Sequence, residues 1–347
     1  MSTMTAVVTT KNRLPILKQC LDRLFASASR CGSVQEVVVV DDGSTDDTPA
    51  YLAALAEQRL IKTVRNDTSR GPSAARNLGV QNARGDFVLI MGDDVLVDED
   101  MTGVLHHHIN HHDMSAASVI GNIQPWPHDM TPFEYWLSNG GSQFAHYRIQ
   151  ERDALDAGEC YFYTTNVVTP RTLLMQFPFD ESFPFARYED RELGYRLKRK
   201  VGHKIHYRKE ALSYHLHKLP FKEWLIKFDQ FAWAAIHFSN LYPEDGQLQR
   251  ELGRTKAEQL QSFSYPVLME AVDTINRHYS LYFSADTVYG AEWIREVVGR
   301  GFRTLQDFFR MNYYRKHLRL SELSDVENHI IATEAMQTIV GQLNDNL

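Results

Sequence analysis

Long hydrophobic runs and cysteines are both scarce in this sequence. No stretch approaches the ~20 apolar residues of a transmembrane helix, and the apolar part of "MSTMTAVVTTKNR" is too short for a signal peptide. The 3 cysteines show no C-x-x-C spacing, which argues against a disulfide framework and a thiolate zinc site. We therefore expect a cytoplasmic protein without a transmembrane segment. A peripheral position at the inner membrane face stays open.

Excess basic charge and glycine-rich phosphate loops are also missing. The net charge is −7 and the pI is about 6.1, so the sequence lacks the basic footprint of a nucleic-acid-binding protein. After the first predicted strand the chain reads "TTKNR", without the glycines of a G-x-G-x-x-G turn, and no G-x-x-x-x-G-K-[ST] motif is present. A bound nucleotide would therefore be held in another way.

The first 120 residues alternate short apolar runs with amphipathic helical patterns. The predicted strands are "TAVVTT", "EVVVVDD", "LIKTVRN" and "FVLIMG", each followed by a helical pattern or a turn. This order is typical of an α/β fold with a Rossmann-like, mostly parallel sheet flanked by helices. From about residue 221 the pattern is helical. We expect an α/β domain at 1–219 and an α-helical region at 220–347 that could serve oligomerisation, including a possible homodimer.

Two acidic pairs follow two of the predicted strands. Asp41 and Asp42 end the second strand, and Asp93 and Asp94 come directly after the fourth. Ligands of such sheets bind beyond the carboxyl ends of the strands, so we expect the pairs to converge there. Adjacent carboxylates repel each other, and a divalent cation with oxygen ligands, Mg²⁺ or Mn²⁺, would offset that repulsion and bridge a diphosphate.

Histidines and aromatic residues form two further patterns with more than one interpretation. "HHHINHH" at 106–112 contains i, i+4 histidine pairs that could chelate zinc or nickel, but a solvated helix face is the favoured interpretation. Trp224 and Phe228 belong to an aromatic stripe that we expect to form a core or a dimer seam, with an acceptor or membrane contact as the alternative. Trp126 and Trp136 are better candidates for an acceptor contact.

Four stretches, in their order and spacing, resemble family 2 of the glycosyltransferases. They are "VVVVDDGSTDDT", "RGPSAARNLGVQNARGDFVLIMGDDV", "FYTTNVVTPRTLLMQFPFDESF" and "YEDRELGYRLKRKVGHKIHY", and the resemblance covers roughly residues 4 to 217. It implies the GT-A fold and an inverting enzyme that uses a nucleotide sugar. Residues 1–219 would then form the nucleotide-sugar-binding and catalytic domain, and the helical region 220–347 would serve the acceptor side or oligomerisation.

The resemblance also implies roles for individual residues on the donor side. The metal motif of the family is Asp-x-Asp, and here its first position is Gly92, which leaves metal affinity open. Asp94 matches the direct ligand of Mn²⁺ or Mg²⁺, Asp93 matches a water-mediated or ribose contact, and His215 matches a further ligand, with His217 as the alternative. The residues expected at the nucleoside, base and phosphates are Thr9, Asn12, Arg13, Asp41, Asp42, Arg70 and Arg76.

On the acceptor side, Asp190 of "YEDRELGYRL" matches the catalytic base of the family. Helical phase places it in the first turn of a helix, where the partial positive charge favours an ionised carboxylate. Trp126, Asn166 and Glu189 are weaker candidates for acceptor contacts.

The expected activity is therefore metal-assisted transfer of a hexose from a UDP-sugar to a glycan, lipid-linked or protein hydroxyl. Two alternatives stay open, a sugar-phosphate nucleotidyltransferase and a non-catalytic nucleotide-sugar binder.

Overall fold

The computed structural model describes residues 1–126, 131–139, 145–216, 220–254, 265–278, 288–318, 337–339 and 341–343. The chain forms two compact units, one of residues 1–126 with 143–217 and one of 127–142 with 218–347. The described residues 131–139 thus group with the second unit, whereas the sequence-based division at 219 assigned them to the first. The reason is packing, because Phe133 and Trp136 are buried among aromatic residues of the later helices.

The first unit is built on a sheet whose order is β3-β2-β1-β4-β7-β6-β8-β5. Pairing among β1 to β4 is parallel, as is that of β6 with β8, while β4–β7, β6–β7 and β5–β8 are antiparallel. The sheet is therefore mixed, with parallel pairing throughout its first four strands and antiparallel pairing where β5 and β7 join it. The strands are β1 (Met4–Thr10), β2 (Glu36–Asp42), β3 (Lys62–Asn66), β4 (Phe87–Gly92), β5 (Val95–Val97), β6 (Ala117–Pro125), β7 (Asn166–Pro170) and β8 (Lys204–His215).

Helices flank this sheet and fill both of its faces with apolar side chains. The valine run of β2 is completely or almost completely buried, as expected of a strand covered on both faces. The helices of the first unit are α1 (Leu14–Cys31), α2 (Thr48–Glu57), α3 (Pro72–Asn82), α4 (Met101–His111), α6 (Arg171–Gln176) and α7 (Glu189–Val201), and three short 3₁₀ helices span Ala145–Arg148, Glu151–Asp153 and Glu159–Tyr161.

Close packing of α3 on the sheet depends on Gly79. A Cβ atom at this position would lie 2.3 Å from Cγ1 of Val7 on β1 and 3.1 Å from Cγ2 of Val40 on β2. Only a residue without a side chain lets the helix approach the strands this closely. The helix that carries Arg76 is thereby held against β1 and against β2, the strand that ends in Asp41 and Asp42.

The second unit is helical and has an aromatic core. Phe133, Trp224 and Phe228 are buried together there with Phe302 and Phe309, so the core interpretation of the aromatic stripe is the one the structure shows. No helix in the described part of the chain is long and apolar enough to cross a membrane. The helices of this unit are α5 (Pro132–Asn139), α8 (Phe221–Ile226), α9 (Phe228–Leu241), α10 (Gly246–Glu251), α11 (Tyr265–His278) and α12 (Val288–Leu318).

Candidate active site

The carboxyl ends of β1, β2 and β4 meet at one edge of the sheet. Thr10 lies opposite Asp41 in the β1–β2 ladder, and Thr9 lies opposite Gly92 in the β1–β4 ladder. Asp93 follows Gly92 directly, and its Oδ2 accepts a hydrogen bond of 2.7 Å from the Thr10 hydroxyl. The two acidic pairs thus end strands on either side of β1.

A single arginine bridges the adjacent carboxylates Asp93 and Asp94. Nη1 of Arg13 donates to Oδ1 of Asp93 at 2.8 Å, and Nη2 donates to Oδ2 of Asp94 at 2.9 Å. The side chains of Asp93 and Asp94 are only 4% and 15% exposed, so their charges need a partner inside the protein. In the protein alone, Arg13 supplies that partner, which explains how two acids can end a buried strand.

Burial makes Asp93 reluctant to ionise. It raises the pKa of Asp93 to about 7, and the negative charge of Asp94 acts in the same direction. The guanidinium of Arg13 and the hydroxyl of Thr10 act against this rise by stabilising the carboxylate. The positive charge of Arg13 therefore does not fully offset the cost of burying two adjacent carboxylates.

Asp94 and His215 could hold a divalent cation. Oδ2 of Asp94 lies 3.6 Å from Nε2 of His215, close to the separation of about 3.0–3.5 Å between neighbouring ligands of one ion. Burial lowers the pKa of His215, which favours the neutral imidazole that binds metals. A Cβ at Gly92 would lie 2.7 Å from Oδ1 of Asp94, so the glycine leaves room for this carboxylate.

The described side chains do not by themselves complete a metal site. Within the described ranges, no group of three or more His, Cys, Asp or Glu side chains is arranged to hold a metal ion. An ion bound to Asp94 and His215 would take its remaining ligands from a bound substrate and from water. His217, the alternative ligand, lies outside the described residues.

Asp42 organises the loop that leads into α3. Its carboxylate accepts hydrogen bonds from the side chains of Asn66 and Ser69 and from the backbone N–H groups of Arg70 and Gly71, at 2.7 to 3.0 Å. Burial opposes ionisation of Asp42, but these four bonds outweigh it and lower the pKa of the group. The carboxylate is thus fully engaged by the protein itself.

Asp41 fixes the turn after β2 in a similar way. It binds the guanidinium of Arg65 and accepts a 2.8 Å hydrogen bond from the backbone N–H of Ser44. Asn12 ties the end of β1 to the same turn, since its N–H donates to Oγ of Ser44 and its Oδ1 accepts from the N–H of Thr45. Asn12 adopts a positive φ of 53°, a conformation that asparagine tolerates better than most residues.

Asp190 lies in the first turn of α7. Its Oδ1 accepts a 2.7 Å hydrogen bond from the N–H of Arg191, and its Oδ2 accepts a longer one of 3.4 Å from the N–H of Thr164. Burial, and after it the negative charge of the neighbouring Glu189, raise the pKa of Asp190 to about 7, although Arg76 and the two backbone hydrogen bonds act in the opposite direction. A carboxyl group with this pKa is half ionised near neutral pH and can accept a proton.

The backbone places Asp190 at the same edge of the sheet as the acidic pairs. Thr164 precedes β7 by two residues, and Asn166 at the start of β7 lies opposite Met91 on β4. Met91 is itself two residues before Asp93. Because Asp190 accepts a hydrogen bond from Thr164, it therefore lies at the end of β4 from which Asp93 and Asp94 follow. The chain enters α7 through Tyr188, whose φ of 66° is unfavourable for a non-glycine residue.

Arg76 and Glu189 form a buried ion pair beside Asp190. Nη1 of Arg76 donates to Oε1 of Glu189 at 2.6 Å, and the two side chains are 10% and 2% exposed. Oε2 of Glu189 has no hydrogen-bond partner among the described residues. The guanidinium of Arg76 also lies over the ring of Phe179. In the protein alone, Arg76 therefore pairs with Glu189 at the start of α7. The position near the nucleobase and phosphates that the family resemblance implies for Arg76 stays a prediction.

The remaining predicted residues differ in exposure. Arg70 is exposed and pairs with Glu181 at 2.8 Å. Trp126 is half-buried, with its ring edge-on to Tyr214. Asn166, by contrast, is completely buried and donates to Oγ of Ser213 at 2.8 Å.

The histidine-rich helix α4 is only partly solvated, which corrects the favoured interpretation of this segment. His108 is 1% exposed, and its Nε2 lies 2.8 Å from Nδ1 of His206 on β8. His107 and His111, in contrast, stack on each other at the surface, with ring centroids 3.9 Å apart. Trp136, one of the acceptor candidates, is 5% exposed and belongs to the core of the second unit.

Several residues of this edge were not singled out from the sequence. Thr10, Arg65 and Ser69 support Asp93, Asp41 and Asp42 respectively. Each is close to a predicted strand end, which is the signal that could have identified them. Their partners, however, lie on other segments of the chain and become visible only once the strands are paired.

Comparison with known proteins identifies a family for this arrangement. The family model described as "Glycosyl transferase family 2" matches residues 5–216. Two curated relatives are Glycosyltransferase GlyG of Streptococcus pneumoniae, 24% identical over 47% of this chain, and Succinoglycan biosynthesis protein ExoO of Rhizobium meliloti, 36% identical over 28% of it. These alignments span 54% and 26% of the relatives' own lengths.

Solved structures show the same fold. Mannosyltransferase PcManGT from Pyrobaculum calidifontis, in complex with GDP-Man and Mn²⁺, superposes with a TM-score of 0.60 at 17% identity, over 92% of this chain and 88% of that one. Residues 1–349 of S. aureus TarS in complex with UDP superpose with a TM-score of 0.51 at 16% identity, over 89% and 91% of the two chains. The sequence-based expectation of a GT-A fold followed by helices is confirmed. Since the family model spans more than half of its length, the chain belongs to glycosyltransferase family 2.

Proposed function

We propose that this protein transfers a sugar from a nucleoside diphosphate sugar to an acceptor hydroxyl, with inversion at the anomeric carbon. Membership of family 2 supports the transfer reaction. Solved proteins of the same fold bind UDP, UDP-GlcNAc or GDP-Man, which supports a nucleotide sugar as the donor. UDP is the nucleotide that we expect, and the acceptor is a glycan, a lipid-linked molecule or a protein.

The observation that carries this proposal is the position of Asp190. It is a carboxyl group with a pKa of about 7, held by the backbone N–H groups of Arg191 and Thr164. It lies at the edge of the sheet where Asp93 and Asp94 end a strand. Placing a base and an acidic, arginine-bridged edge on one side of the sheet suits a reaction between a hydroxyl and a diphosphate ester.

In the proposed reaction, Asp190 accepts the proton of the acceptor hydroxyl. The acceptor oxygen attacks the anomeric carbon, a new glycosidic C–O bond forms, and the bond from that carbon to the diphosphate oxygen breaks. The nucleoside diphosphate leaves with the bonding electrons. Attack from the face opposite the leaving group inverts the configuration, and general-base assistance of this kind contributes about 10²–10⁴-fold to the rate.

The residues of the acidic edge serve the donor side. Asp94 and His215 would hold a Mn²⁺ or Mg²⁺ ion, which when bound stabilises the negative charge of a departing diphosphate. Arg13 places a guanidinium on the same two carboxylates. Asp41 and Asp42 hold the loops after β2 and before α3, where we expect the nucleoside to bind.

Substitution of Asp190 by asparagine tests the proposal. The amide side chain would keep the size of the carboxylate but could not accept a proton, so we expect Asp190→Asn to lower kcat by about 10²–10⁴-fold and to leave donor affinity unchanged. The control is Asp113→Asn, because Asp113 is an exposed acid beyond the end of α4. Transfer by Asp190→Asn at the wild-type rate would contradict the assignment of the base.

Donor screening separates the proposal from its alternatives. We expect a panel of UDP-, GDP- and dTDP-sugars to show thermal stabilisation by one nucleotide class, larger with Mn²⁺ than without it. A nucleotidyltransferase would instead release pyrophosphate from a sugar 1-phosphate and a nucleoside triphosphate. A non-catalytic binder would be stabilised by the donor but would neither hydrolyse nor transfer its sugar.

A further inference from the structure

One carboxylate oxygen of the acidic edge lies close to both an arginine and a histidine. Oδ2 of Asp94 accepts a hydrogen bond of 2.9 Å from Nη2 of Arg13, and the same atom lies 3.6 Å from Nε2 of His215. It is therefore both the end point of the arginine bridge and the oxygen that faces the histidine. A metal ion bound between Asp94 and His215 would therefore use the same oxygen lone pairs, and the same negative charge, that Arg13 uses.

A metal ion and the arginine in its present position would lie very close together. An ion about 2.1 Å from Oδ2 of Asp94 could be at most about 5 Å from Nη2 of Arg13, since both contact that oxygen. The edge is largely buried, so repulsion between a divalent ion and a guanidinium at this distance is weakly screened. Either the arginine leaves Asp94 when the ion arrives, or an anion comes between them.

The structure allows the guanidinium to move while its backbone stays fixed. The carbonyl oxygen of Arg13 accepts hydrogen bonds from the N–H groups of Ile16 and Leu17 at the start of α1, which anchors the main chain. The side chain itself is 34% exposed, and its tip is held among the described residues by two charge-assisted bonds that a diphosphate could replace. Thr10 continues to hold Asp93 through the other carboxylate oxygen.

We propose that Arg13 holds the Asp93–Asp94 pair in place in the free protein and competes with a divalent cation for Asp94, so that metal binds tightly only together with the diphosphate of the donor. This rests on the proposed function for the identity of the donor. Arg13 is then a positioning residue that couples the binding of two ligands. The anionic diphosphate draws the guanidinium away from Asp94 and leaves that oxygen to the metal.

The first test measures Mn²⁺ binding to the protein without nucleotide. The electron paramagnetic resonance signal of free Mn²⁺ is titrated with wild type and with Arg13→Gln at low ionic strength. Because the variant removes the competing cation, we expect it to bind Mn²⁺ at least tenfold more tightly, a change of about 1.4 kcal/mol. Equal or weaker binding by Arg13→Gln overturns the proposal.

Further variants separate competition from a general disturbance of the edge. Thr10→Val removes the other hydrogen bond to Asp93 without changing the charge, so its Mn²⁺ affinity should stay within about threefold of wild type. Arg13→Lys keeps the charge but cannot bridge both carboxylates, so we expect at least threefold tighter binding, a result that decides the question if Arg13→Gln does not fold. Adding Asp94→Asn to either arginine variant should abolish the gain, and its persistence would place the metal elsewhere.

This comparison does not depend on the reaction. If wild type bound no nucleotide sugar, the proposed function would fail while the Mn²⁺ titrations would still test Arg13. If wild type transferred sugar but Arg13→Gln showed no gain in Mn²⁺ affinity, the function would stand and the competition would be refuted.

Discussion

The pH dependence of transfer should depend on the ion pair next to Asp190. With a pKa of about 7, Asp190 is ionised in about half of the molecules at pH 7 and in about a tenth at pH 6. If Asp190 is the base, kcat/KM should therefore rise with pH through an acidic limb centred near 7. The negative charge of the buried Glu189 is one cause of this raised pKa, second to burial.

Glu189→Gln should move the acidic limb to lower pH. The substitution removes the neighbouring negative charge and leaves Arg76, which lies 2.6 Å from Oε1 of Glu189 in the wild type, to act on Asp190 alone. Removing one negative charge at short range lowers the pKa of a carboxyl group by about one unit or more. At pH 6 about half of the variant molecules would then carry an ionised Asp190, so activity relative to the high-pH plateau would be about fivefold above that of wild type.

The measurement is a profile of kcat/KM between pH 5 and pH 9 for wild type and three variants. Arg76→Gln should move the limb in the opposite direction, to higher pH, since Arg76 lowers the pKa of Asp190. Glu192→Gln is the matched control, because Glu192 is equally buried on α7 but pairs with Arg196 and should leave the limb in place. A limb that does not move in Glu189→Gln, or that moves upward, would refute this account of Asp190.

Three further predictions concern stability. Gly79→Ala should lower the free energy of unfolding by about 1–3 kcal/mol in urea titrations, because the new Cβ would overlap Val7; an unchanged midpoint would contradict the close packing. Asp42→Asn should cost about 2–3 kcal/mol in the same assay, since an amide cannot accept all four hydrogen bonds, and a neutral effect would contradict this network. Burial lowers the pKa of His146 and of His203 to about 4, so each is neutral in the fold but protonated in the unfolded chain below pH 6.5. The free energy of unfolding should therefore fall by about 1.4 kcal/mol per histidine from pH 7.5 to 5.5. In His203→Gln this fall should be smaller by about 1.4 kcal/mol, and an unchanged fall would contradict the assignment.

The sheet and its functional edge could be predicted because the signals are local. The valine run before Asp41 is short, continuous and bounded by turn residues, which is typical of a strand buried on both faces. The four apolar runs ending at Thr10, Asp42, Asn66 and Gly92 are all strands in the structure. Their carboxyl ends share an edge because parallel pairing requires it.

Other features depend on contacts between distant segments. Arg76 and Glu189 are 113 residues apart, and nothing near either one in the sequence indicates the pairing. The family resemblance implies a nucleotide contact for Arg13, which stays a prediction, but nothing near Arg13 in the sequence indicates that its side chain bridges the acids after β4. The long strand β8 (204–215) changes its register beside β6 between Gly121 and Asn122, a feature that depends on the neighbouring strand and not on the local sequence of β8 alone.

A crystal structure with an intact or non-hydrolysable UDP-sugar and Mn²⁺ tests the central claim most directly. We predict that the diphosphate lies at the edge formed by Arg13 and Asp94, and that a carboxylate oxygen of Asp190 faces the anomeric carbon on the side opposite the leaving group, with room for one acceptor hydroxyl between them. A diphosphate bound away from Asp94, or an anomeric carbon that Asp190 cannot reach through one hydroxyl group, would contradict the account.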